Sequence, residues 1–244
     1  MIKCLAPWHS ILVRFNGDIV PDGVYRKRYG NVLESPLNTV LNSITASHTR
    51  ESFIQGHLPP ECESCALKEA SVGHSRRKFF KDILNPMLEN TNYSYTKTFN
   101  DIMFLEFNMS NICNLKCRMC NGISSSAWVK DELKLAKMNK DFQRPVDNPE
   151  FGYTNKSEQI IERLFEDPTP FKNLRYLSIK GGEPYMEPAN KTILKKFIDL
   201  GVAKHVTLDW TTNGTIVDEE VHELAKQYGH TKWTVSLEGT DNLY

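Results

Sequence analysis

From residue 102 onward, the sequence repeats one pattern, in which a short apolar run is followed by an amphipathic segment. The apolar runs read IMFLEFN, LRYLSIK, HVTLDW and KWTVSL. The segments between them place apolar residues three and four positions apart, which is typical of a helix packed on one face. Strands that alternate with helices form parallel sheets or barrels through right-handed crossovers. The pattern therefore predicts an α/β fold with four βα strands.

Chemically unusual segments follow these apolar runs, namely NMSNICNLKCRMC, GGEP, TTNG and SLEG. The ligands of parallel α/β folds bind at the carboxyl ends of the strands. We therefore expect the functional site at this edge of the sheet.

The first of these segments holds three cysteines within eight residues, Cys113, Cys117 and Cys120, which we call the first cysteine set. A structural zinc site and an ordinary four-iron cluster each take four protein ligands. Three cysteines on one loop would bind three irons and leave the fourth open, as a reactive metal centre requires. The alternatives are a zinc knuckle that lacks one ligand and ordinary core thiols.

The spacing Cys113-x3-Cys117-x2-Cys120, placed after the first strand of a βα series, resembles the signature of the radical S-adenosylmethionine (radical SAM) enzymes. The resemblance covers about residues 100–244 and implies a partial TIM-like barrel. It also implies a 4Fe-4S cluster whose fourth iron is chelated by the amino and carboxylate groups of S-adenosylmethionine. In that family, reduction of the cluster cleaves the sulfonium, and the resulting 5′-deoxyadenosyl radical abstracts hydrogen from the substrate.

The same resemblance supplies candidates for cofactor contacts. GGEP matches the family segment that holds the methionine amino group, which implicates Gly181, Gly182 and Glu183. Glycines permit close backbone approach to a ligand, and a carboxylate is suited to accept a hydrogen bond from an ammonium. Met119 replaces the aromatic residue that usually lies near the adenine. Candidates for ribose and carboxylate contacts are Thr212, Asn213, Ser236 and Glu238, with Ser236 preferred.

A second cysteine set consists of Cys4, Cys62 and Cys65. The run CLAPWHSILVRFNGDIVPD resembles the start of the auxiliary-cluster modules called SPASM and twitch domains. Gly17 fits their frame, but Asp22 occupies the position of the next cysteine. The resemblance implies a second, auxiliary iron-sulfur cluster on these cysteines, in a module that precedes the barrel.

Asp22 leaves several interpretations of this second site open. Either its carboxylate is the fourth ligand, or the fourth iron is open to substrate or water; oxygen is a harder donor than such clusters prefer. Zinc is a further alternative, with Asp22 or His74 as the fourth ligand. Cys62 and Cys65 alone would also suit a redox dithiol.

The chain organisation follows from these assignments. The run SILVRFNGDIVPDG predicts a hairpin with its turn at residues 16–18. We expect residues 1–95 to form a small irregular cysteine module and residues 96–244 the radical SAM core. The family barrel has six βα units, and four strands would leave an edge unpaired. We therefore expect a core that is incomplete at its carboxyl end; a naturally short, dimerising form and a decayed, inactive copy are alternatives.

Composition narrows the classes of partner. The formal net charge of the 244 residues is zero, so attraction to nucleic acid is not expected, and we interpret the basic runs YRKRY and SRRKFFKD as solvated faces. No apolar run approaches the roughly 18 residues that a membrane span needs, and we recognise no signal peptide. We expect a cytoplasmic protein in which clustered cysteines bind metal.

These observations predict a radical SAM enzyme, an oxidoreductase or transferase that uses a 4Fe-4S cluster, S-adenosylmethionine and an auxiliary cluster. By family analogy, its substrate is a peptide or small metabolite, and its electron donor is a low-potential protein such as flavodoxin or ferredoxin. The alternative is a non-catalytic iron-sulfur or zinc protein that binds a partner. A nucleic-acid-modifying enzyme is a third interpretation, with steep salt dependence of RNA binding as its sign.

Overall fold

The computed structural model describes residues 4–89, 95–99, 101–139, 141–142 and 156–237. Contacts within the chain divide it into two compact units. The first unit comprises Met1–Val13, Gly17–Glu106 and Glu162–Tyr176, and the second comprises Arg14–Asn16, Phe107–Ile161 and Leu177–Tyr244. The domain boundary expected between residues 95 and 96 stays a prediction.

Short strands and helices make up the described residues as far as Leu88. In chain order they are α1 (Ala6–His9), β1 (Ser10–Arg14), β2 (Asp18–Val20), β3 (Gly30–Asn31), α2 (Leu37–Leu41), α3 (Ile44–Ile54), α4 (Glu63–Val72) and α5 (Arg76–Leu88). β2 pairs antiparallel with both β1 and β3, with Leu12 opposite Val20. The predicted hairpin is confirmed, and Gly17 takes the φ of 86° that its turn requires.

The core of the first unit forms around the indole of Trp8. One apolar cluster includes Trp8, Phe53, Phe80, Leu84 and Phe104. Trp8 is 1% exposed, and its Nε1 donates a hydrogen bond to the Thr96 carbonyl at 2.7 Å. Burial of this indole with its one donor satisfied stabilises the unit without a polar penalty.

The remaining elements alternate between strand and helix with one exception. They are β4 (Phe104–Asn108), α6 (Ser126–Met138), α7 (Ser157–Phe165), β5 (Tyr176–Lys180), α8 (Pro188–Asp199), β6 (Thr207–Thr212), α9 (Glu219–Ala225) and β7 (His230–Val235). The exception is α6, which among the described residues is followed directly by a second helix, α7. The strands and helices predicted beyond residue 100 are therefore present. None of the helices in the described ranges combines the length and apolar content needed to cross a bilayer.

The order of the strands confirms the predicted fold class. The first unit has the order β3-β2-β1-β4, and the second has β4-β5-β6-β7. β6 and β7 run parallel, with Trp210 opposite Trp233 and Thr212 opposite Val235. Over the described residues the βα strands do not close, and β7 is the last strand in the order. The second unit is thus an α/β sheet of the partial-barrel kind.

α8 illustrates how the sequence sets local structure in this unit. It begins at Pro188, where Glu187 Oε1 accepts a hydrogen bond from the Ala189 amide at 3.2 Å. Its fully buried stripe consists of Ile193, Leu194 and Phe197. It ends at Asp199, and Gly201 then takes a φ of 71°, as helix termini often require.

Candidate active site

The loop between β4 and α6 carries the first cysteine set and is tied to the first turn of α6. The Cys113 amide donates to Ser126 Oγ at 3.2 Å. Trp128 Nε1 donates to the Cys117 carbonyl at 3.1 Å, and the Cys120 amide donates to the same carbonyl at 2.9 Å. The start of the helix therefore fixes the backbone that presents the three thiols.

A buried carboxylate holds the far side of this loop. Glu132 of α6 is 4% exposed, and its Oε1 accepts a hydrogen bond from the Gly122 amide at 2.7 Å. Asn111 Nδ2 donates to the Gly122 carbonyl at 2.6 Å. Leu133, which lies on the apolar face expected from the sequence, is 43% exposed. The helix was predicted, but the side chain that it buries against the loop is polar.

The glycines that follow β5 pack against the backbone of the cysteine loop. The Gly182 amide donates to the Ser110 carbonyl at 3.0 Å, and the Glu183 amide donates to the Ile112 carbonyl at 2.7 Å. A Cβ on Gly182 would lie 2.2 Å from the Ile112 oxygen. Gly181 has a φ of +140°, and its Cβ would lie 2.7 Å from the Ser110 oxygen. We expected these glycines to admit a ligand; the neighbour that requires them here is the cysteine loop.

The Glu183 carboxylate joins this glycine turn to the end of β6. Its side chain is 1% exposed. Oε1 accepts hydrogen bonds from Thr212 Oγ1 at 2.8 Å and from the Tyr185 amide at 3.2 Å. Oε2 accepts one from the Asn213 amide at 2.7 Å. These donors satisfy a group that is costly to bury unpaired, and its contact with a cofactor ammonium stays a prediction.

Asn213 connects the end of β6 to the first cysteine. Its Nδ2 donates to Asn114 Oδ1 at 2.9 Å and lies 3.8 Å from Cys113 Sγ, within range of an N–H···S bond. Its Oδ1 accepts a hydrogen bond from the Thr215 amide at 3.0 Å, so the N–H side of the amide faces the sulfur. Hydrogen bonds to ligand sulfurs are one way in which a protein tunes a metal cluster.

The first cysteine set lines one cavity of about 500 Å³ together with most of the predicted cofactor residues. Lining residues among the sequence candidates are Cys113, Cys117, Met119, Cys120, Gly181, Gly182, Thr212, Asn213 and Ser236. Lys116, Lys180 and Thr211 line it as well, and no sequence motif had marked them. The volume falls within the range of about 300–1,000 Å³ that is usual for small-molecule sites. Met119 is 76% exposed, and Glu238 lies outside the described residues.

The second cysteine set converges on a smaller cavity in the first unit, with a volume of about 30 Å³. Its lining includes Cys4, Asp22, Cys62, Cys65 and Arg77. Cys65 lies in the first turn of α4 and is buried. Burial raises the pKa of the Cys4 thiol and raises the pKa of Cys62 to about 12, so these thiols ionise mainly when a metal binds them. His74 is exposed and is absent from the described lining.

Two arginines at the start of α5 pair with carboxylates around this second cavity. Arg76 Nε donates to Oδ1 of Asp22, which is 7% exposed, at 2.9 Å. Arg77 Nε donates to Glu69 Oε1 at 2.9 Å, and its Nη2 bonds the other Glu69 oxygen. The interpretation of SRRKFFKD as a solvated face is wrong for these two side chains, which are 25% and 11% exposed. Ligation of a cluster by Asp22 stays a prediction.

No sequence signal identifies these two arginines. Asp22 lies 54 residues from Arg76, and Glu69 lies eight residues from Arg77. Asp22 lies in the loop after β2 and Glu69 lies within α4, so each pairing depends on where α5 packs against these elements, which no local pattern encodes. Residues of this kind are found only once the chain is folded.

The two cysteine sets differ from a site for a single metal ion and suit iron-sulfur clusters. Within the described ranges, no three His, Cys, Asp or Glu side chains converge closely enough to hold a single metal ion. A cluster places each thiolate on a different iron, so its ligands need not meet at one point. At the first set, three thiols that line a cavity of small-molecule size suit a cluster with a bound small ligand. At the second set, three thiols around one cavity suit a second cluster.

A sheet of βα units with a cysteine loop at its strand ends, beside a small-molecule cavity, defines a class of iron-sulfur enzymes built on a partial barrel. The family model of the Radical SAM superfamily matches residues 107–244, and the chain therefore belongs to that superfamily. The family model of SPASM, an iron-sulfur cluster-binding domain, matches residues 4–66. Neither a search of curated proteins nor a search of solved structures found a significant match.

Both resemblances inferred from the sequence are thereby confirmed. The protein is a radical SAM enzyme, whose cofactors are a 4Fe-4S cluster and S-adenosylmethionine. Its SPASM domain adds an auxiliary iron-sulfur cluster. The residues that bind each group, the substrate and the electron donor stay predictions.

Proposed function

We propose that this chain holds a 4Fe-4S cluster through the first cysteine set and reductively cleaves S-adenosylmethionine to begin hydrogen abstraction from a substrate. The observation that carries the proposal is the single cavity of about 500 Å³ that Cys113, Cys117 and Cys120 share with the glycine turn and the end of β6. When bound, the cluster supplies the electron that breaks the sulfonium C–S bond. A shared cavity supports this chemistry, because the reacting groups must be held in contact.

The residues around the cavity divide into those that contact the cofactor and those that position them. Residues 181–182 are glycines, so their backbone forms part of the cavity wall. Asn213 and Ser236 contribute polar side chains to the cavity at the strand ends. Glu183 already has hydrogen-bond donors on both carboxylate oxygens, so we assign it a positioning role between β5 and β6. Met119 offers an exposed, polarizable thioether as cover for the adenine.

A polar sheet face supports a polar substrate. Lys180 and Thr211 line the cavity, and alternate residues of a strand share a face, so Ser178 and Asp209 lie on this face too. Thr234 Oγ1 donates to Asp209 Oδ1 at 3.1 Å. Ser178 Oγ is buried without a hydrogen-bond partner among the described residues. Such a face suits a peptide or a small polar metabolite, with a reaction of the oxidoreductase or transferase type.

The second cysteine set is our assignment for the auxiliary cluster. Cys4, Cys62 and Cys65 supply its thiolates, and the cluster relays an electron or anchors the substrate. Asp22 is held by Arg76, which favours an iron left open over ligation by this carboxylate. A low-potential protein such as flavodoxin or ferredoxin supplies the electron for the first cluster.

The test is the formation of 5′-deoxyadenosine by anaerobically reconstituted protein with dithionite and S-adenosylmethionine. We expect product from the parent protein and none from Cys117→Ala. Cys62→Ala is the matched control, because it removes a thiol of the second set and should still cleave the cofactor. Absence of product from parent protein that carries its full iron would contradict the proposal and favour a non-catalytic iron-sulfur protein that binds a partner.

A further inference from the structure

One buried nitrogen beside the second cysteine set has no hydrogen-bond partner among the described residues. This atom is Nη1 of Arg77. Arg77 lines the same cavity as Cys4, Cys62 and Cys65. A guanidinium is a donor on every nitrogen and accepts nothing, and a buried donor left unpaired costs stability. The Nη1 donor would therefore be satisfied by a hydrogen-bond acceptor at the second cysteine set.

The guanidinium of Arg77 is held in a fixed orientation. Its Nε donates to Glu69 Oε1 at 2.9 Å, and its Nη2 bonds Oε2 of the same carboxylate. Ser75 Oγ also donates to this carboxylate, which fixes Glu69 in turn. A forked pair of this kind is rigid. Because Nε and Nη2 both bond the Glu69 carboxylate, Nη1 is the nitrogen that remains available to donate to a group in the cavity.

Arg77 also interacts electrostatically with the whole second cysteine set. The pKa of Cys62 is raised chiefly by burial, and the positive charge of Arg77 opposes that rise. The pKa of Arg77 is raised first by its hydrogen bonds to Glu69 and further by Cys4 and Cys65. The adjacent Arg76 is paired with Asp22, so the two arginines have different partners.

We propose that Arg77 is a positioning residue of the auxiliary cluster, whose Nη1 donates an N–H···S hydrogen bond to a sulfur of the cluster or its cysteines. The proposal rests on the assignment of that cluster to the second cysteine set. A positive charge and a donor aimed at sulfur stabilise the more negative, reduced cluster, so Arg77 raises its reduction potential. The auxiliary cluster is therefore adapted to accept an electron, and its role is not only structural.

The test uses the full chain with the first cysteine set replaced by Ala, reconstituted anaerobically with iron and sulfide, so that only the second set binds a cluster. The midpoint potential of this background is compared with that of Arg77→Gln and Lys78→Gln by EPR-monitored titration. Lys78 is exposed on the same helix, so its variant removes the same charge on the solvent side. We expect Arg77→Gln to lower the reduced-to-oxidised ratio at fixed potential about tenfold, or about 59 mV for one electron. Lys78→Gln should leave it unchanged.

Because Arg77→Gln also removes the partner of Glu69, a second measurement avoids dependence on that variant. The background protein is labelled with ¹⁵N-arginine, and the reduced cluster is examined by ENDOR spectroscopy. We expect a ¹⁵N coupling that disappears in Arg77→Lys, which keeps the charge and lacks the fork.

Two results would overturn the role of Arg77 and leave the auxiliary cluster intact. One is an Arg77→Gln protein that binds its full iron and has the same midpoint potential as the Lys78→Gln protein. The other is a labelled background protein whose reduced cluster shows no ¹⁵N coupling. Failure of the background itself to bind iron would overturn the auxiliary cluster together with this role. Cleavage of S-adenosylmethionine at the first cysteine set is measured separately and would be unaffected.

Discussion

The backbone amide of Asn213 donates a hydrogen bond of 2.7 Å to Oε2 of Glu183. Glu183 belongs to the glycine turn that packs on the cysteine loop, and Asn213 Nδ2 lies 3.8 Å from Cys113 Sγ. One buried carboxylate therefore couples the ends of β5 and β6 around the first cysteine set. This coupling holds two walls of the cavity in place.

Glu183→Gln should weaken that coupling. The new amide presents N–H groups where the carboxylate accepted hydrogen bonds, so a buried donor is left unpaired and the free energy of unfolding should fall by about 1–3 kcal/mol. We also expect the affinity for S-adenosylmethionine to fall about tenfold, or about 1.4 kcal/mol. Urea unfolding and equilibrium binding to reconstituted protein measure the two effects.

The matched control for Glu183 is Glu187→Gln. Glu187 Oε1 accepts the capping hydrogen bond of α8, and the Gln oxygen can still accept it. The substitution removes the negative charge at the start of α8, so it should lower stability and leave the cofactor affinity unchanged. An equal loss of affinity in the two variants would show that Glu183 acts only through general stability.

Gly182→Ala should disrupt the cysteine loop. The added Cβ would lie 2.2 Å from the Ile112 carbonyl oxygen, so the loop or the turn must shift, at a cost of about 1–3 kcal/mol. We expect the iron bound by the first cysteine set to fall, as measured by iron and sulfide per chain with the second set replaced by Ala.

Gly201→Ala provides the control for that substitution. Gly201 has a φ of 71°, and a Cβ added there would meet no described atom within 4 Å. Only backbone strain of about 1–2 kcal/mol is expected, with iron content retained. Equal loss of iron in both variants would contradict the specific role of Gly182.

Trp128→Phe should make the first cluster easier to remove. The change deletes the N–H donor to the Cys117 carbonyl, a net loss of about 0.5–1.5 kcal/mol. In protein with the second cysteine set replaced by Ala, we expect faster loss of iron to a chelator. Trp8→Phe deletes a comparable donor, to Thr96, in the first unit. It should lower stability without changing that rate, and similar rates for the two variants would argue against the contact.

Substitution of Asn213 should lower the reduction potential of the first cluster. Asn213→Leu removes the N–H donor near Cys113 Sγ, and Asn213→Asp also adds a negative charge. Both changes disfavour the reduced state. The reduction potential should therefore be highest in the parent protein, lower in Asn213→Leu and lowest in Asn213→Asp. An EPR-monitored titration measures this order, and a potential unchanged in Asn213→Leu would rule out the N–H···S contact.

Most of the fold could be predicted from the sequence because the information that specifies it is local. The strand and helix periods, the turn at Gly17 and the spacing of the first cysteine set can each be recognised within a few residues. The contact of Gly182 with Ile112 could not be, because it joins the ends of two separate strands. The burial of Glu132 in place of Leu133 depends on where the cysteine loop crosses α6, which periodicity does not encode.

The central claim is that a cluster on the first cysteine set binds S-adenosylmethionine directly, at an iron without a protein ligand. The most direct measurement is the EPR spectrum of reduced, oxygen-free protein, with the second cysteine set replaced by Ala, before and after the nucleotide is added. We predict that the g values change on addition and that Cys117→Ala shows no such change. A spectrum unaffected by the nucleotide in protein with its full iron, or zinc in place of iron at this loop, would contradict the claim.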